Sequence, residues 1–183
     1  MTPQNWAEEQ ASRIAAEVRR LRRPRSAQWL ADRTAELGYT VTRAVIADLE
    51  NGRRKYITTA ELMVLARALN TTPIALLYPD PLSNDSIEML PGWKASKTVA
   101  LQWFSGEVDV PSPSVCDDSD EYRGNLEAIV AARRVSELEE QKLTLMKVFQ
   151  GRSADKWDKA KKAVPMITEI QREIDKLRGI DGG

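Results

Sequence analysis

Apolar side chains recur three and four residues apart along most of this chain, and glycines, prolines and hydroxyl residues interrupt the pattern where helices should end. Ile14, Val18 and Leu21 mark a leading helix. Ser26 caps a second, running through Trp29, Leu30, Ala31, Thr34 and Leu37 to Gly38, and Gly38-Tyr39-Thr40-Val41 joins it to a third. That third helix begins at Thr42 and places Val45, Ile46 and Leu49 on one stripe. Arg43, Ala44, Ala47 and Asp48 fall on the opposite side, and Gly52 ends the helix with Asn51 beside it. Thr58 and Glu61 form a capping box before Leu62, Leu65, Ala66 and Leu69. Thr72 and Pro73 open a short helix through Ile74, Leu76 and Leu77, stopped by Pro79 and Pro81. These five helices predict one shared core over residues 1–79.

Residues 80–121 read as a linker with one short helix and an acidic loop. Prolines, Ser83, Asn84 and Gly92 punctuate its start, leaving room for one short strand at Ile87-Glu88-Met89-Leu90. Ala95 to Phe104 has a helical pattern, with Val99, Trp103 and Phe104 for packing and Gly106 as its stop. The stretch Glu107 to Glu121, "EVDVPSPSVCDDSDE", has the composition of a loop. From Tyr122 to Gln150 a long helix is expected with Leu126, Ile129, Val130, Leu138, Leu145 and Phe149 on its inner side, ended by Gly151. Ser153 caps another, from Ala154 to about Arg178, with Ala160, Ala163, Ile167, Ile170, Ile174 and Leu177 along one seam and Pro165 set to kink or divide it. The fold class is therefore all-α, with residues 122–183 forming an antiparallel helical hairpin or small bundle. The seam either pairs two chains or packs inside this one; the preceding helix offers a matching face within short reach, which favours the second.

The chemistry excluded is as informative as the pattern. Histidine is absent, which removes the usual general base and the usual zinc ligand. No phosphate-binding glycine loop, calcium loop or HExxH element occurs, so no enzymatic activity, metal or cofactor is expected. Cys116 stands alone and reads as an incidental thiol. No apolar run approaches the ~20 residues that span a bilayer, and no basic-then-apolar leader opens the chain, so a cytoplasmic protein without membrane contact is expected. The formal net charge of zero hides an uneven distribution: residues 1–57 carry 11 Lys and Arg against 7 Asp and Glu, residues 80–121 carry 2 against 9, and residues 122–183 carry 13 against 10.

The stretch from Ser12 to Pro79, above all "VIADLENGRR" followed by "LARALNTTPIALL", resembles the lambda-repressor-type (Xre-like) helix-turn-helix family. The second helix is about one turn longer than in the short family version, and the turn after Gly38 is extended. More narrowly, the alanine- and arginine-rich style and the segment "EMLPGWKASKTVALQWFSG" look similar to actinobacterial regulators and mycobacteriophage immunity repressors. The resemblance implies a sequence-specific repressor of double-stranded DNA, maintaining lysogeny from operator-like sites. Some of those sites would be asymmetric and bound by a single polypeptide with two DNA-contacting parts. Many phage repressors carry a β-rich self-cleaving C-terminal domain; the helical pattern of residues 122–183 offers none, so self-cleavage is not expected.

A recognition helix reads base edges from its exposed N-terminal face. Here Thr42, Arg43, Ala44, Ala47 and Asp48 hold those positions. Arg43 suits guanine, Ala44 a thymine methyl, Thr42 a phosphate or base; Asp48 either accepts from cytosine or orients a neighbouring arginine. Ser26, Ala27 and Gln28 open the preceding helix, whose free amides suit a phosphate. Asn51, Arg53, Arg54 and Lys55 follow the reading helix and would hold backbone phosphates. The run Arg19, Arg20, Arg22, Arg23 and Arg25 flanks the duplex, reaches into a minor groove as arginine-rich arms do, or is a solvated charged face. Arg152, Lys156, Lys159, Lys161 and Lys162, with Trp157 among them, form either a second DNA contact or another solvated face. Without a second contact a two-fold dimer on a palindrome would be needed, so the partner is duplex DNA bound by a two-part monomer or by a homodimer. The five tryptophans share no spacing and read as packing residues. The alternative function is an antitoxin or adaptor whose helical C-terminal region binds a protein and whose DNA-binding domain serves autoregulation.

Overall fold

A computed structural model describes residues 3–108, 118–147 and 156–179, with side chains from residue 5 onward and, in the last stretch, from residue 163. The protein is mainly α-helical, with one small two-stranded sheet among the described residues. Its chain forms two compact units, Met1–Val115 and Cys116–Gly183.

In the first unit, α1 (Pro3–Arg22), α2 (Ala27–Glu36), α3 (Arg43–Glu50), α4 (Thr59–Ala68) and α5 (Pro73–Leu77) enclose one core. Each predicted cap is made. The side chains of Ser26, Thr42, Thr58 and Thr72 accept hydrogen bonds from the backbone N–H groups of Trp29, Val45, Glu61 and Ala75. With helix ends so set, the apolar stripes meet: Ile14 and Val18 of α1, Leu30 of α2, Ile46 and Leu49 of α3, Leu65 of α4 and Leu76 of α5 are all nearly sealed from solvent. Full burial of a Leu or Ile side chain contributes about 1.5–3 kcal/mol, so this stripe-to-stripe packing outweighs the modest propensity of such short helices.

The segment after α5 contains more structure than its punctuation suggests. β1 (Ser86–Leu90) and β2 (Trp93–Ser96) pair antiparallel around a turn at Pro91-Gly92, with Ile87 opposite Ala95. Gly92 has φ +86, a conformation an L side chain resists, and its N–H is held by the Glu88 carboxylate at 2.7 Å. The helix expected from Ala95 starts two residues later as α6 (Lys97–Phe104), because Ala95 and Ser96 lie in the strand and Ser96 is its N-cap. Ile87, Met89 and Ala100 form a second small core with Tyr78, against which Ile74 and Leu77 of α5 pack, so hairpin and α6 cover the outer face of α5. The Trp6 indole N–H, donating to the Glu88 carbonyl at 2.9 Å, ties the first turns of α1 to the same hairpin.

The second unit consists of α7 (Ser119–Lys147) and α8 (Lys156–Leu177), joined through Val135, Leu138, Ile174 and Ile170. With Leu138 beside Ile174, a parallel arrangement would need a return of about 40 Å between Lys147 and Lys156, whereas the residues between them reach at most about 30 Å. The helices therefore run antiparallel, and the Ile170-Ile174 seam is used inside the chain. Ion pairs Arg134–Glu173 at 2.9 Å and Arg178–Glu139 at 2.6 Å flank it. α8 passes through Pro165 as one element. Ile129 and Val130, expected inside, are 45% and 54% exposed. The reason is length: three residues beyond Ile174 the shorter helix ends, leaving the first turns of α7 uncovered. Phe149, Gly151 and Ser153 lie outside the described residues.

Candidate nucleic-acid interface

The candidate face is built on α3. At 100° per residue, Arg43, Ala47, Asn51, Ala44 and Asp48 occupy an arc of about 140°, and the buried Ile46 and Leu49 lie opposite. Thr42, Arg43 and Ala44 are exposed; Ala47 and Asp48 are half-buried. The Arg43 side chain makes no hydrogen bond or ion pair with any described residue, so its planar fork of donors points at solvent unoccupied. Asp48 has Arg53 at 3.6 Å.

Three internal devices hold this helix. The Thr34 hydroxyl, fully buried in α2, donates to the Ala31 carbonyl at 2.8 Å and accepts from the Val41 N–H at 2.9 Å, which fixes the turn entering α3. At the other end Glu50 receives Nε and Nη2 of Arg22 at 2.8 and 2.6 Å, joining α3 to α1 through side chains only 8% and 12% exposed. Beyond the helix, Gly52 adopts φ +71 and the Arg54 N–H returns to the Asp48 carbonyl at 3.0 Å, folding the following loop back on α3. Neither Thr34 nor Arg22 carried a signal in the sequence beyond its place on an apolar face and in a basic run.

The expected phosphate-binding residues divide. Ser26 is exposed at the start of α2, and Gln28 beside it donates to Asp32 at 2.8 Å. Asn51 is exposed and the Arg53 side chain is 79% exposed, whereas Lys55 pairs with Glu8 at 2.9 Å while remaining 62% exposed. Arg54 differs from these neighbours. Its guanidinium binds both carboxylate oxygens of Glu61 at 2.6 and 3.0 Å, lies 4.4 Å from the Tyr56 ring centre, and is 16% exposed. This bond to Glu61 holds Arg54 above its ordinary pKa. Burial pushes the Glu61 carboxyl up, but the bonds from Arg54 and from the Thr58 N–H and hydroxyl outweigh it and leave it below its ordinary value. Arg54 is thus a brace between the loop and α4.

Of the second basic cluster, Arg152 lies outside the described residues, as do the side chains of Lys156, Lys159, Lys161 and Lys162 on the first turns of α8. Among the described residues no cluster of three potential metal-ligating side chains occurs, and no helix is long and apolar enough to cross a membrane. No family model, curated protein or solved structure matches the chain.

Proposed function

We propose that the first unit is a helix-turn-helix domain of the lambda-repressor type and that the protein is a sequence-specific repressor of duplex DNA, of the phage-immunity kind. The observation that carries this reading is the arc of Arg43, Ala44, Ala47 and Asp48, entered at Thr42, on a short helix pinned at both ends; Thr42, Arg43 and Ala44 are exposed, Ala47 and Asp48 half-buried, and Arg43 is free of partners among the described residues. A rigid helix about 12 Å long fits the major groove, and a preorganised arginine fork pairs with guanine O6 and N7. Ser26, Asn51, Arg53 and Lys55 flank it with groups suited to phosphates. Residues 122–183 add the second contact through Lys156, Lys159, Lys161 and Lys162, so that one chain covers an asymmetric site.

Selection of duplexes by the intact protein, followed by footprinting and measurement of stoichiometry, tests the proposal. One chain protecting a site longer than a single half-site is expected; failure to enrich any sequence would overturn it. Two chains on a palindrome would retain the repressor and remove the second contact.

A further inference from the structure

The five arginines at the end of α1 differ in what they already do. Arg20 holds Glu17 through Nε and Nη2 at 2.7 and 2.6 Å, and Arg22 holds Glu50. Arg25 folds back on the end of α1, donating to the Leu21 and Arg22 carbonyls at 2.8 and 3.1 Å, with its guanidinium 3.8 Å from the Trp29 ring centre. The side chains of Arg19 and Arg23 are exposed and make no hydrogen bond or ion pair with any described residue. They stand four residues apart, Arg19 in the last turn of α1 and Arg23 just beyond its end.

Both line an open groove of about 590 Å³. The small residues Ala15, Ala16 and Gly52 are among those that line it, and Gly52 immediately precedes Arg53. Glu50 is the one carboxylate among its described lining residues, and that charge is already neutralised by Arg22. The groove is therefore cationic, shallow and unobstructed. Along the chain Arg23 lies three residues before Ser26, and Gly52 lies between Asn51 and Arg53, so the groove's lining adjoins in sequence both regions proposed for phosphate. A cation at a helix C-terminus has a bland explanation in the helix dipole, but the dipole accounts neither for two unpaired guanidinium groups nor for the groove beside them.

We propose that the Arg19–Arg23 groove is a binding site for the nucleic-acid phosphodiester backbone, beside the C-terminal end of α3 and reading no bases. It rests on the proposal that the first unit binds duplex DNA, and extends its footprint along one strand beyond the major-groove contact. Arginine suits the task because its fork meets phosphate oxygens bidentately and stays charged.

The test compares intact protein with the Arg19→Ala/Arg23→Ala and Arg19→Lys/Arg23→Lys double variants on the selected duplex over a range of salt concentrations. Each phosphate that is no longer neutralised lowers the slope of log K against log salt by about 0.9. The alanine variant should flatten the slope by about 1 to 2 while keeping the order of preference among duplexes and an unchanged melting temperature. The lysine variant should keep most of the slope. A slope unchanged in the alanine variant overturns the groove and leaves the proposed function standing, and the groove would then suit an acidic protein segment. A changed order of preference also overturns it, since that would make these residues base readers. Absence of duplex binding by the unaltered protein overturns both.

Discussion

Replacing Arg54 by Met tests whether this arginine braces the fold, as its pairing with Glu61 indicates, or holds a phosphate, as its place in the sequence suggested. In the structure Arg54 and Glu61 are 16% and 10% exposed at the side chain, and two donor nitrogens meet two acceptor oxygens. Breaking a buried pair from one side costs about 3–5 kcal/mol, because the remaining charge is left without its partner. Glu61 would keep its two bonds from Thr58, both 2.9 Å, so the expected loss is about 2–3 kcal/mol. For a unit of this size about 4 °C accompanies each kcal/mol, so the melting temperature should fall by about 8–12 °C. Urea denaturation followed by tryptophan fluorescence is the assay, since four of the five tryptophans lie in the first unit.

The pH dependence adds a second check. Glu61 has a lowered pKa when folded, so the stability it contributes is fully present above the unfolded carboxylate value of about 4.3. It is lost as pH falls from there through the folded value, and the gap between wild type and Arg54→Met should close over the same range. A loss under about 0.5 kcal/mol, together with a DNA-binding salt slope flatter by about one, would refute the reasoning and return Arg54 to the phosphate contacts.

Arg43→Ala should weaken binding to the best duplex by about 1–3 kcal/mol and relax preference at one guanine, read by competition among single-base variants of the site. Arg22→Met leaves Glu50 buried and uncompensated at the end of α3. It should lower stability by about 3–5 kcal/mol in denaturant titration, and a loss under about 1 kcal/mol would mean that the pair does not hold α3 to α1. Thr34→Val keeps the shape but removes the acceptor for the Val41 N–H. It should cost about 1–3 kcal/mol and speed hydrogen exchange at Val41; unchanged exchange there would show that the turn is held by other means.

The starts of α2 to α5 were legible in the sequence because capping is local: a hydroxyl side chain and the N–H three residues on suffice to define Ser26, Thr42, Thr58 and Thr72. The hairpin of β1 and β2 was only partly legible. Its strands are five and four residues long, and what holds them comes from other elements: Tyr78 at the end of α5, Ala100 of α6, and the Trp6 indole 82 residues from its acceptor Glu88. Periodicity likewise showed that Ile129, Val130 and Leu138 share a helix, but whether a residue is covered depends on where the partner helix ends. In the candidate interface, residue type and position picked out Arg43 on the exposed side of α3 and Arg53 in the loop that follows it. The same reasoning could not separate Arg54 from Arg53, or Arg22 from Arg23, because the carboxylates that engage Arg54 and Arg22 approach from other elements of the fold.

The central claim is that this chain reads DNA sequence with the exposed face of α3. Selection from random duplexes by the intact protein, repeated with Arg43→Ala, tests it most directly. The account predicts that the unaltered protein enriches one defined motif and that the variant loses preference at one guanine within it. Enrichment of no motif, or of the same motif with equal stringency by both proteins, would contradict it.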